Sequence, residues 1–176
     1  MKPAAEPSSR FGRVLTEALF GAGGGVASTV YGTIVVMATL TVGYASETHP
    51  WTLAVVVATT ACVLWVAHLY AHGLSESLST GRRFSEVDIG GIARREIGIL
   101  LAAVAPIAML LLGASDVISE TSAVWLALGI GLVTLAVEGL RYARLGSLGP
   151  AATLVAVGVN VSLGLLVVLL KAALAH

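Results

Sequence analysis

Residues 51–76 read WTLAVVVATTACVLWVAHLYAHGLSE. The stretch opens with an unbroken apolar run and ends in a cluster of polar and aromatic side chains, Trp65, His68, Tyr70, His72 and Glu76. An apolar run of about 18 residues or more is long enough to cross a bilayer as a helix. On such a helix His68, His72 and Glu76 recur every fourth residue and share one face. Two histidines and a carboxylate at the end of a span form the most specific chemical pattern in the chain.

The composition supports a membrane span. The 176-residue chain is 57% apolar and 11% charged, with a mean hydropathy of +0.93. Soluble domains carry about 25% charged residues, so too little polar surface exists here to coat a water-soluble body. The single cysteine, Cys62, excludes an internal disulfide or a cysteine-based metal site. No P-loop, dinucleotide fingerprint, HExxH or GxSxG occurs, so the common soluble enzyme chemistries lack their motifs and no cofactor is indicated. Arginine outnumbers lysine eight to two, and Ala, Val and Gly dominate, as in GC-rich bacterial genomes. Charges at Lys2, Glu6, Arg10, Arg13 and Glu17 leave no clean apolar core for a cleavable signal peptide.

Outward from the opening stretch, the chain reads as an all-α, polytopic membrane helical bundle. Residues 1–9 form a disordered tail, and 10–176 form one transmembrane domain. Phe11, Val14, Leu15, Ala18 and Ala22 follow helical spacing opposite Arg10, Arg13 and Glu17, which predicts a short amphipathic helix at the membrane surface. Five spans follow at about 26–45, 51–74, 97–113, 122–142 and 151–171. Tight turns separate them, except for one hydrophilic loop from Ser75 to Glu96. Ser85 and Asp88 resemble a capping box within that loop, a point at which a helix would restart, and Pro106 predicts a kink in the third span. Gly21–Gly25, Gly129/Gly131 and Gly158/Gly164 are small-residue faces suited to close helix packing or a homo-oligomer.

Five spans place Lys2, Arg10, Arg13, Arg82, Arg83, Arg94, Arg95, Arg141 and Arg144 on one side, nine cations in all, against Lys171 on the other. The positive-inside rule then predicts a cytoplasmic N-terminus in a multi-pass protein of the cell inner (plasma) membrane. Trp51 and Trp125 fall at the opposite interface. The segments 46–72 and 119–144 match as Ser-Glu-Thr, Trp, an apolar run and Tyr-Ala, the pattern of a tandem repeat or of two topologically equivalent spans.

His68 lies seventeen residues inward from Trp51 and Glu138 thirteen from Trp125. With Tyr31 and His72 they occupy one layer, and Asn160 lies nearer the midplane. An ionisable group at a span's centre costs about 2.5–3.5 kcal/mol and faces protein or water. A shared polar cavity therefore unites them, with His68 and Glu138 as the expected partners. Three readings of this layer stay open. It is a proton or cation path through His68, His72, Glu138, Tyr31 and Asn160. It is a divalent-metal site on His68, His72 and Glu76. Or it is structural, with Glu138 paired to Arg141.

YGTIVV in the first span, WVAHLYAH in the second and AVWLALGIGLVTLAVEGLR in the fourth resemble small polytopic integral membrane proteins of actinobacterial type. The resemblance implies a multi-pass membrane protein and no particular activity. The sequence thus points to a small proton- or cation-translocating permease or channel-like protein rather than an enzyme. The alternatives are an accessory or scaffold subunit holding a protein partner at its basic loops, and a metal-binding protein. Lipid is the expected environment, and nothing indicates nucleic acid.

Overall fold

The computed structural model describes residues 24–46, 49–81 and 86–174. The predicted tail and surface helix, together with Arg82, Arg83 and Ser85, lie outside the described residues. The described chain is all-helical: α1 (Gly24–Ala45), α2 (Pro50–Thr80), α3 (Glu86–Ala114), α4 (Glu120–Leu145) and α5 (Pro150–Leu174). All five are long and apolar enough to cross a membrane.

Local chemistry sets most helix boundaries. Pro50 and Pro150 open α2 and α5, where a missing N–H costs nothing. The Trp51 N–H donates to His49 Nδ1 at 3.2 Å, and the Ser122 N–H donates to Ser119 Oγ at 3.2 Å, capping α2 and α4. Gly81 stops α2 in the left-handed conformation, φ 65°. At the end of α3 the Val117 N–H reaches Leu112 O (3.1 Å) and the Asp116 N–H reaches Gly113 O (3.3 Å). At the end of α4 the Leu148 N–H reaches Ala143 O (2.9 Å) and the Ser147 N–H reaches Arg144 O (3.1 Å). Both are paired bonds that satisfy terminal carbonyls around a left-handed residue, Asp116 or Ser147.

The five described helices match the five expected spans, but the loop expected at 75–96 is largely helical. Only 81–85 separates α2 from α3. Hydropathy marks where the apolar slab ends, whereas Ser, Glu and Thr continue the helix until a breaker arrives at Gly81. The 31 residues of α2 span roughly 46 Å at about 1.5 Å per residue, against about 30 Å of bilayer hydrocarbon. The third helix begins at Glu86, where the Ser85/Asp88 pattern predicts a restart and eleven residues ahead of the expected span start at Ile97, and it continues through Pro106.

Short connections make sequential neighbours antiparallel. α1 is the central helix and touches the other four. α3 packs broadly on α1, α2 and α4, while α5 lies against α4 and α1. α2 and α4 barely meet. The core between them is apolar and closed: Met37, Leu40, Leu53, Val57, Leu110, Leu128 and Leu135 are fully buried. Three polar residues of α1, Ser28, Thr33 and Thr41, turn inward. Thr33 and Thr41 are buried and donate to Thr29 O and Met37 O at 2.8 and 2.9 Å. α5 exposes Leu154, Val155, Leu166 and Leu169, and among its described residues Gly164 alone is buried. At the end bearing Trp51 and Trp125, His49 Nε2 meets Glu120 Oε1 at 3.3 Å and joins two turns. His49 therefore both caps α2 and contacts α4.

Glycines allow the closest approaches. A Cβ at Gly32 would lie 2.8 Å from Ile99 Cα, and one at Gly98 would run into Thr29. Of the glycine pairs marked in the sequence, Gly131 and Gly164 are packed against side chains, whereas Gly129 and Gly158 face open space. Gly32→Ala is therefore expected to destabilise the detergent-solubilised protein by about 1–3 kcal/mol, because two backbones must separate. Gly129→Ala should leave stability unchanged or raise it by up to about 1 kcal/mol. Thermal unfolding of the two variants beside the parent checks both; a Gly32→Ala protein as stable as the parent would contradict the close contact.

Candidate functional site

At the end of the bundle where α1 starts, α2 finishes and α3 begins, the helices enclose a cavity of about 640 Å³. α1 contributes Ser28 and Tyr31, α2 contributes His68, His72, Ser75 and Glu76, and α3 contributes Arg95 and Glu96. On α2 these residues follow spacings of three and four, so one polar face looks into the cavity. His68, His72 and Glu76 all line this one wall.

Each ring has a defined role. The Tyr31 and His68 rings lie 5.0 Å apart, tilted by 43°. The His68 ring lies 6.1 Å from that of His72. His68 Nδ1 is 3.1 Å from Leu64 O, and His72 Nδ1 is 3.1 Å from His68 O. A carbonyl only accepts, so both bonds assign the hydrogen to Nδ1 and leave Nε2 with a lone pair. His72 Nδ1 is also 3.6 Å from Glu96 Oε1. Glu96 is buried, with its side chain 11% exposed. The Nδ1 hydrogen is already shared with the His68 carbonyl, so Glu96 stands beside that edge of the ring at ion-pair distance, while Nε2 points away from both partners' contacts with its lone pair uncommitted. The hydroxyl of Ser28 donates to Arg95 O at 2.9 Å and ties this part of α3 to α1.

The structure does not bring His68 and Glu138 together. They lie on α2 and α4, which are separated by α1 and α3 for almost their whole length. Glu138 instead accepts from Arg141 Nη1 at 3.3 and 3.4 Å, one turn on, and both side chains are nearly buried. Asn160 is also outside the cavity: its Nδ2 donates to Ala156 O at 3.0 Å, beside Gly139. Glu96 takes the place expected of Glu138. It was assigned to the hydrophilic loop, although Ile92, Glu96, Ile99 and Ala103 repeat with helical spacing and all four are buried. That stripe was the available signal.

Among the described residues, no three His, Cys, Asp or Glu side chains converge as metal ligands. His68, His72 and Glu76 share a wall without forming a coordination site. Trp65 Nε1 is buried and has no hydrogen-bond partner among the described residues. It lies three residues before His68 on α2. No protein-family model matches the chain, and neither a curated protein nor a solved structure matches it.

The hydrogen-bond partners predict opposite tautomers at the two ends of α2. Neutral His68 and His72 should carry hydrogen on Nδ1. His49 should carry it on Nε2, because its Nδ1 accepts from the Trp51 N–H. Multiple-bond ¹⁵N–¹H correlation of histidine-labelled protein distinguishes the forms. The same tautomer at all three residues would contradict the assignment.

Proposed function

We propose that the protein is a multi-pass protein of the cell inner membrane that translocates protons or a small cation through this cavity. The carrying observation is the His72–Glu96 pair in the wall of a polar cavity that opens at one end of the bundle. The pair supplies a carboxylate and an imidazole within 3.6 Å of each other, with Nε2 left to take the proton. The cation asymmetry supports a cytoplasmic N-terminus, which turns the cavity mouth to the cytoplasm. Beyond the cavity lies the closed apolar core, with Met37, Leu40 and Val57 fully buried. Passage to the other side therefore requires the helices to rearrange, as in a permease that exposes its site to each side in turn, rather than a standing pore.

A second reading has an observation of its own. α2 and α3 together extend beyond a bilayer's hydrocarbon thickness and present exposed Arg94 and Arg95. This basic hairpin suits an accessory subunit that holds an acidic protein partner. A stoichiometric partner on purification, together with no flux, would favour it.

Proteoliposomes loaded with a pH-sensitive dye test the transport reading. Glu96→Gln and His72→Ala are expected to reduce proton or cation flux at least about tenfold, equivalent to about 1.4 kcal/mol. Glu138→Gln should reduce it far less, because Glu138 lies outside the cavity. Parental flux in both the Glu96 and His72 variants would refute the reading.

A further inference from the structure

A proton or bare metal ion needs little space, yet the cavity measures about 640 Å³. That volume lies within the range of roughly 300–1,000 Å³ typical of sites for small organic molecules. Its walls also carry both signs of charge. Arg95 is exposed, and its guanidinium has no ion-pair partner among the described residues. Glu96 is buried on the same helix and meets His72 through one of its two carboxylate oxygens. A ligand with only one sign of charge would be attracted by one group and repelled by the other. A ligand carrying both signs can satisfy both. Tyr31, which lines the cavity from α1, is 44% exposed and adds an aromatic face, a favourable neighbour for an ammonium group.

We propose that the cavity binds a zwitterion bearing a phosphate and an ammonium, with phosphate at Arg95 and ammonium between Glu96 and Tyr31. The inference rests on reading the cavity as the binding site and names its ligand class. Arg95 matches the phosphate geometrically, because a guanidinium offers a planar fork of donors. The buried carboxylate supplies the counter-charge for the ammonium. The mouth lies where α2 and α3 pass from apolar to polar sequence, at the depth of lipid headgroups. The same phosphate–ammonium chemistry is available there from an ethanolamine phospholipid or from a free phosphoamine.

The test titrates purified, delipidated protein in detergent with O-phosphoethanolamine, inorganic phosphate and ethanolamine, using calorimetry. A second arm offers equal amounts of phosphatidylethanolamine and phosphatidylglycerol and reads retained lipid by native mass spectrometry. O-phosphoethanolamine should bind at least about tenfold more tightly than either fragment, equivalent to about 1.4 kcal/mol. Binding of the free compound without lipid retention would identify a soluble ligand. Selective retention of phosphatidylethanolamine would identify the headgroup. Arg95→Gln, at an exposed position that leaves the fold intact, should weaken O-phosphoethanolamine binding about tenfold, and Glu96→Gln should abolish its advantage over inorganic phosphate. Inorganic phosphate binding as tightly as O-phosphoethanolamine, or unchanged binding in Arg95→Gln, would overturn the proposal. The same preparations reconstituted for flux separate the two readings. Binding without flux would leave this site standing and remove transport, whereas proton flux with no binding would do the reverse.

Discussion

The close contact of α1 with α3 governs the rest of the bundle. In a bilayer, helices gain little from hiding apolar surface from one another, because lipid chains are as apolar as leucine. Close van der Waals approach and interhelical hydrogen bonds must supply the association. Gly32 against Ile99, Gly98 against Thr29 and the Ser28–Arg95 bond provide both. α1 meets α2 far less extensively than it meets α3. There, at the cavity end, the rings of Tyr31 and His68 face each other instead of glycine and backbone. Large side chains hold these two helices apart where small ones draw the other pair together, and the cavity is the space that difference leaves.

Hydrogen-bond accounting separates structural polar groups from those available for chemistry. A polar atom surrounded by hydrocarbon must find a partner inside the protein. Thr33, Thr41 and Asn160 bond to carbonyls one turn back on their own helices. Glu138 and Arg141 satisfy each other. These groups are buried or half-buried and locally occupied, which gives them little reason to exchange protons or ligands. Tyr31, His68, His72 and Glu96 instead share a solvent-connected cavity, and each histidine has only its Nδ1 committed to a backbone carbonyl. The chemistry assigned to the cavity follows from that difference in commitment, not simply from the presence of ionisable residues in apolar helices.

The five helices were legible because the apolar runs are long and Pro50, Pro150 and the short polar turns punctuate them. The cavity's α1 and α2 residues were legible from depth along the helix, since Tyr31, His68 and His72 do share a layer. Depth says nothing about direction around the helix axis, however, and that is where Glu138 misled. It belongs to the buried stripe of Val124, Leu128, Gly131 and Leu135 on α4, and α4 scarcely meets α2. Glu96 was hidden for the opposite reason. Its neighbours Arg94 and Arg95 lower the local hydropathy, so it reads as loop, although its spacing with Ile92, Ile99 and Ala103 places it on the packed face of α3. A window average suppresses this helical periodicity, whereas a residue-by-residue count retains it.

The excess length of α2 and α3 resolves an apparent conflict between burial and charge. A carboxylate held at the centre of a span carries a penalty of about 2.5–3.5 kcal/mol, which favours local pairing such as that of Glu138 with Arg141. Glu96 and His72 sit near the ends of the apolar stretches of α3 and α2, in the lining of the cavity at that end of the bundle. Their charged forms can therefore be screened on one side while protein packing fixes them on the other. Burial of Glu96 supplies the orientation, and exposure of His72 supplies access. A deeper pair would lose that access, and a pair beyond the slab would lose the packing from α1. On the proposed reading, the helical extensions make the cavity a boundary site, where fixed geometry and exchange with the surroundings can coexist.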